Sequence, residues 1–258
     1  MNKIARLISR MVVAGMMLLL AACTDDTFSR SYDRVVEGIP VTVQLKFKAS
    51  ASTVETRAAQ SEASENRVDN VYILIFDENG NIKDHIFCKP GSGLTYDTGD
   101  DLLSSGKLLF QANSLNNATI VGIANLADGS TSTAYTVTED ELDAVTTLQS
   151  LKEIVMTMRD ESVYRSAFFM MTGYAKVRLD DGTVTTRVTI PALESGETAT
   201  LDCTMELERT DAKVKFVVEA EASDSKMKDF SFQPTGWRVR QVPLQSFILP
   251  KDAANTDG

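Results

Sequence analysis

The chain has 258 residues, 43% of them apolar, with 26 basic and 36 acidic side chains and a formal net charge of −10. That is enough apolar material for one large domain or two small ones, and an acidic surface without a basic cluster argues against nucleic acid as a partner. Only one histidine, His85, is present; a Ser-His-Asp or Cys-His unit would rest on it alone, and no Gly-x-Ser-x-Gly, His-Glu-x-x-His or Cys-x-x-Cys accompanies it.

Lys3, Arg6 and Arg10 precede an apolar stretch from Met11 to Leu20, which stops at Leu20-Ala21-Ala22-Cys23. A positive start, a short apolar core and small residues before a cysteine form a lipoprotein signal. Residues 1–22 are read as the signal peptide, cut between Ala22 and Cys23, and residues 23–38 as a lipidated tether. Each buried methylene contributes about 0.8 kcal/mol, so two or three acyl chains on Cys23 hold a domain to a bilayer. A soluble secreted protein and an uncleaved anchor are the competing readings. The core is shorter than the roughly 20 residues a spanning helix needs, and cysteine at this position favours lipidation. Cleavage leaves 23 basic against 36 acidic residues, net −13.

From Ile39 to Phe47 apolar Ile39, Val41, Val43, Leu45 and Phe47 alternate with polar or proline positions, which predicts a strand with one buried face. Ala49 to Arg67 is rich in Ala, Ser, Thr and Glu and reads as an exposed loop. Val71 to Phe76 is a continuous apolar run suited to a strand covered on both faces. Asn79-Gly80 then turns the chain into Ile82 to Cys88, with the signature of a type I′ hairpin. The acids and amides around it do not have calcium-loop spacing, and no metal site is expected. Cys88 and Cys203 are read as small buried hydrophobes, with a disulfide as the alternative.

Lys107 to Gln111 and Thr119 to Ala124 are further strand segments. Thr138 and Glu141 make a capping box for one helix, with Leu142, Val145, Leu148 and Leu151 down one face. Strands resume at Phe168 to Leu179, and Asp181-Gly182 turns into Val184 to Ile190. Alternation continues at Leu201, Cys203, Met205 and Leu207, then at Val214, Phe216 and Val218. The tail holds Phe230, Phe232, Trp237, Val239 and Val242 between breaks at Pro234 and Pro243. Many strands against one helix predict an all-β sandwich with one short helical connection over residues 39–250. Residues 251–258 read as a tail.

Several phrases, in order, resemble the fimbrillin family, the type V pilus subunits and related surface lipoproteins of Bacteroidetes-type bacteria. They are Val71 to Asp77 with Glu78-Asn79-Gly80, Val121-Gly122-Ile123-Ala124-Asn125-Leu126, Met170-Met171-Thr172-Gly173-Tyr174, and Leu207 to Val214 beginning Leu-Glu-Arg-Thr-Asp-Ala-Lys. Cys23-Thr24-Asp25-Asp26 likewise resembles the acidic export signal of surface-displayed lipoproteins in such bacteria. The resemblance implies a transthyretin-like β-sandwich, in full-length pilins a second, similar C-terminal sandwich towards which residues 251–258 would be a truncated linker, and delivery to the outer membrane as a lipoprotein. It further implies removal of the first strand by an arginine-specific protease, and donor-strand exchange with other fimbrillin-like subunits. On this chain the matching parts are the strand Ile39 to Phe47 and Arg57, with Arg67 as the alternative processing site.

The leading expectation is therefore a non-enzymatic, lipid-anchored pilus or surface-adhesion subunit without a cofactor. The alternative is a monomeric surface lipoprotein that binds a glycan or host protein; exposed aromatics on one sandwich face would favour it, but Tyr32, Tyr96, Tyr135 and Tyr164 are scattered singly. An envelope hydrolase would have to use Asp100-Asp101 or Asp180-Asp181, adjacent acids that read instead as solvated turns.

Overall fold

The alternation that begins at Ile39 becomes strand β1 (Pro40–Ser50) in a computed structural model of the chain, which describes residues 34–50, 66–128, 135–158, 168–210, 236 and 244–249. The apolar run forms β2 (Val71–Phe76), followed by β3 (Ile82–Pro90), β4 (Gly93–Tyr96), β5 (Ser105–Asn113) and β6 (Leu115–Ala124). Two one-turn helices come next, α1 (Glu139–Asp143) and α2 (Leu148–Lys152). After them come β7 (Val155–Thr157), β8 (Met171–Arg178), β9 (Val184–Thr185), β10 (Arg187–Ile190), β11 (Thr198–Arg209) and β12 (Gln245–Phe247). The segments around Val214 to Val218 and Phe230 to Val242 lie outside the described residues.

The all-β class is as expected, but the strands do not form the two open sheets of a transthyretin-like sandwich. Hydrogen bonding runs β6-β2-β3-β4-β5-β1-β11-β8, and β8 pairs back onto β6, so eight strands close a ring. Two glycines make that seam possible. Gly122 of β6 stands directly across from Gly173 of β8. A Cβ on Gly122 would lie 2.1 Å from Met205 Sδ, and one on Gly173 would lie 1.8 Å from the Glu206 carbonyl oxygen, so any side chain there would push β11 away. Closure removes free edges, the usual weakness of an antiparallel sheet.

The ring encloses one apolar core, to which β1 contributes Val41, Val43, Leu45, Phe47 and Ala49. Ile39 was expected to be buried with them but is 39% exposed, and Ala49 takes the fifth inward place. A second core covers the outer face of β2 and β6. There Tyr72, Leu74, Phe76, Val121 and Ile123 pack under Leu142, Leu151 and Met156. Val71 to Phe76 is thus buried on both faces, as its unbroken apolar run predicts.

Three local expectations are corrected. The single helix from Thr138 is two helices, because the β2–β3 hairpin captures the backbone between them: Ile82 N–H donates to the Thr146 carbonyl at 2.9 Å and Leu148 N–H to the Gly80 carbonyl at 2.8 Å. Thr147 then caps α2 with Ser150, just as Thr138 caps α1 with Glu141. The turn at Asn79-Gly80 is not type I′. Only Gly80 has positive φ, at 81°, and the Asp77 carboxylate accepts from the amides of Asn79 and Asn81, both at 2.9 Å. The strand from Val184 to Ile190 splits into β9, paired with β8, and β10, paired with β6.

Candidate assembly groove

The most informative site is the place that β1 occupies. It lies between β5, to which it is antiparallel, and β11, to which it is parallel. Val43 and Leu45 are fully buried and Phe47 is 2% exposed; each such side chain contributes about 1.5–3 kcal/mol on burial. Across β5, inward Val41, Val43 and Leu45 face Ala112, Phe110 and Leu108, while Phe47 faces Gly106. A Cβ on Gly106 would lie 2.0 Å from the Thr95 carbonyl oxygen and 3.0 Å from Phe47 Cε1. On the other side Phe47 is in register with Met205, the residue that fills the space over Gly122. The two largest inward side chains in this row therefore each depend on a glycine.

The backbone just before β1 is held by two side chains from the junction of β5 and β6. Ser114 is 1% exposed; its Oγ accepts from Ile39 N–H at 2.9 Å and donates to the Val36 carbonyl at 2.6 Å. Its own backbone exchanges hydrogen bonds with Gly38 and Ile39 at 3.0 and 2.8 Å. Asn116 Oδ1 accepts from Val35 N–H and its Nδ2 donates to the Val35 carbonyl, both at 2.9 Å. Asn116 also donates through its backbone and Nδ2 to Glu37 Oε1. Sequence reading missed Gly106, Ser114 and Asn116. The first stands just ahead of the predicted strand Lys107 to Gln111 and joins it only because β5 begins at Ser105; nothing in the pattern around Ser114 distinguished a clasp from a polar turn.

Of the predicted site residues, Ala22, Cys23 and Arg57 lie outside the described residues, as do Tyr32 and Tyr164. Arg67 is described and held. Its guanidinium pairs with Asp69 at 3.1 Å and lies 5.0 Å from the centre of the Phe168 ring. The Arg67 carbonyl accepts from Asn125 Nδ2 at 2.9 Å, and Val68 N–H donates to the Leu103 carbonyl at 2.9 Å, with the Val68 side chain fully buried. Asn125, from the family-like phrase after β6, has φ of 65° and also bonds the Phe169 carbonyl and the Asp69 amide.

The remaining titratable groups serve the fold. His85 Nε2 lies 3.3 Å from the Val145 carbonyl, beside Tyr72. The Tyr72 hydroxyl donates to Asp143, and burial followed by that acidic partner pushes its pKa up. Asp100 does not work with Asp101: its carboxylate accepts from the amides of Leu102, Ser104 and Ser105. Desolvation opposes its ionisation, but those bonds win and hold it below the usual carboxylate range. Asp181 caps its own turn through Thr183. Cys88 and Cys203 are buried and unpaired with each other, and burial pushes both thiols up to about 12. Among the described residues no group of His, Cys, Asp and Glu could hold a metal. Tyr135 is 3% exposed, and the Tyr96 hydroxyl donates to the Val68 carbonyl at 2.7 Å.

An all-β ring whose positioned polar groups grip backbone defines a scaffold that holds a strand. A family model described as Major fimbrial subunit protein (FimA) matches residues 39–209, and the chain belongs to that family, one of structural fimbrial subunits and not of enzymes. Among solved structures, a fimbrial assembly protein from Parabacteroides distasonis is 14% identical, with a TM-score of 0.40, over 67% of this chain and 54% of its own. The fimbrial anchor protein Mfa2 from Porphyromonas gingivalis is 13% identical, with a TM-score of 0.37, over 66% of this chain and 50% of its own. The tip fimbrial protein Mfa3 from the same organism, with C-terminal truncation, is 16% identical, with a TM-score of 0.35, over 66% and 48%. The matched region thus spans about half the length of these structures. No curated protein matches the chain.

Proposed function

We propose that this protein is a subunit of a cell-surface fimbrium, delivered to the outer membrane as a lipoprotein on Cys23 and assembled by replacement of β1. In this reading residues 1–22 are removed, residues 23–38 tether the domain, and an arginine-specific protease cuts after Arg57. The strand of another fimbrillin-like subunit then takes the place of β1. The eight strands form a closed ring, and the departure of β1 reopens it between β5 and β11.

The observation that carries the proposal is the position of β1 inside a closed ring. Losing it leaves two unpaired ladders, on β5 and β11, and bares the apolar partners of Val43, Leu45 and Phe47. Such an edge is a strong template for β-augmentation, in which backbone bonds give affinity and alternate side chains give register. Of the tyrosines named for the alternative, a monomeric glycan-binding module, the two among the described residues form no exposed platform: Tyr135 is buried and the Tyr96 hydroxyl is engaged.

The proposal is tested by limited digestion with an arginine-specific protease, followed by electrophoresis without boiling. Cleavage after Arg57 and heat-resistant oligomers with fimbrillin-like subunits are expected, and Arg57→Ala blocks both. Clean cleavage to a product that stays monomeric beside such subunits contradicts strand exchange. Incorporation of a fatty-acid analogue, lost in Cys23→Ala, tests the anchor; label retained in that variant contradicts it.

A further inference from the structure

We propose that the place held by β1 is a receptor for one kind of strand: an extended segment of another polypeptide that runs in the direction of β1, turns an aromatic ring inward at the position of Phe47, and carries a basic residue immediately after it. The inference rests on the strand-replacement reading and adds to it which strand fits.

The socket is defined by what faces each inward position. Opposite Val43 and Leu45, β5 supplies Phe110 and Leu108, which already fill the space between the strands. Opposite Phe47 it supplies Gly106, which carries no side chain and stands so close to the Thr95 carbonyl that none could be added. An inward residue smaller than an aromatic leaves a cavity there, since the surroundings collapse only in part. An aromatic displaced by two residues meets Leu108 instead, which overpacks a fully buried position. The aromatic therefore selects both the strand and its register.

Charge complementarity supports the second requirement. The outward positions of β11 at this end are the exposed Glu206 and Glu208, and Lys48 is in register with Glu206. Lys176 of β8 already pairs with Glu206 at 2.8 Å, and a basic residue at the place of Lys48 brings a second cation to this acidic stretch, with Glu208 the next outward position along β11. Lys46 has Lys107 as its partner on β5, so a basic residue before the aromatic gains less.

Direction follows from the clasp. Ser114 and Asn116 grip the backbone from Val35 to Ile39, and the side chain they bond there is that of Glu37. An incoming segment engages them only if its own flank precedes the aromatic by the spacing from Ile39 to Phe47. The reversed strand would present the aromatic at the clasp and its flank at the socket.

The test uses the full chain, cleaved after Arg57 and freed of the β1 fragment. It is offered labelled peptides with the sequence of Pro40–Ser50, either unchanged or carrying Phe47→Ala, Phe47→Leu or Lys48→Glu. These substitutions leave the folded protein untouched. The unchanged peptide is captured; Phe47→Ala weakens capture about a hundredfold, with Phe47→Leu between the two. Lys48→Glu weakens capture in low salt and less in high salt. Capture of the Phe47→Ala peptide within threefold of the unchanged one overturns the aromatic socket while strand replacement stands. An opened groove that captures no peptide overturns both.

Discussion

Asn116 holds Val35 by both of its backbone groups, accepting from the amide and donating to the carbonyl at 2.9 Å each. A side-chain amide that pairs with backbone in this way acts as one more rung of a ladder, placed where β1 begins. Loss of such bonds at a half-buried site costs about 1–3 kcal/mol. Asn116→Ala is therefore expected to speed release of the cleaved β1 segment about tenfold, and Asn116→Asp, which loses the donor and sets a second carboxylate against Glu37, is expected to speed it as well. The release rate is read from a fluorophore on the tether after cutting; an unchanged rate contradicts the clasp.

The bond between Arg67 and Val68 should resist the protease that cuts at Arg57. A protease needs an extended, unpaired segment in its cleft, whereas here the Arg67 carbonyl is bonded to Asn125 and the Val68 amide to Leu103. Cleavage at this bond requires local opening, whose population sets the rate. Mass spectrometry of a limited digest is expected to yield no fragment beginning at Val68. In Asn125→Ala such a fragment appears, because the carbonyl loses its partner.

Stability should fall in acid because of turn aspartates. Asp100 and Asp77 have pKa values lowered in the folded state: burial raises each, but amide bonds, joined at Asp77 by Lys83, outweigh it. A carboxylate with a depressed folded pKa contributes stability above its unfolded value, near 3.9, and loses it as pH falls through the folded value. The melting temperature is expected to be level with respect to these groups above about pH 5 and to drop below about pH 4. Asp100→Asn lowers the plateau and shrinks the drop. Equal acid sensitivity in that variant contradicts the assignment.

Legibility in the sequence followed the range of the interactions. The alternation of Val41 to Phe47 and the unbroken run of Val71 to Phe76 report burial on one face or two, a local property, and both hold in the structure. The break between α1 and α2 was hidden because the groups that capture Thr146 and Leu148 lie on the distant β2–β3 hairpin. Ring closure was hidden for the same reason: Gly122 and Gly173 are ordinary strand glycines until their partners are known. In the groove, β1 was readable as a strand, but Gly106, Ser114 and Asn116 take their meaning from residues about 60 to 80 positions away in sequence.

The central claim, that the place of β1 can be emptied and refilled, is tested most directly through Cys203. This thiol lies on β11 in the stretch facing Leu45, where the β1–β11 register shifts, and it is 6% exposed. A variant carrying Cys23→Ser and Cys88→Ala leaves Cys203 as the single thiol of the chain, and its reaction with a thiol reagent reports whether the groove is filled. The account predicts a protected thiol in the intact protein, exposure after cleavage at Arg57 and loss of the β1 segment, and renewed protection when a fimbrillin-like subunit or a β1 peptide is added. A thiol that stays reactive whatever strand is offered would contradict it.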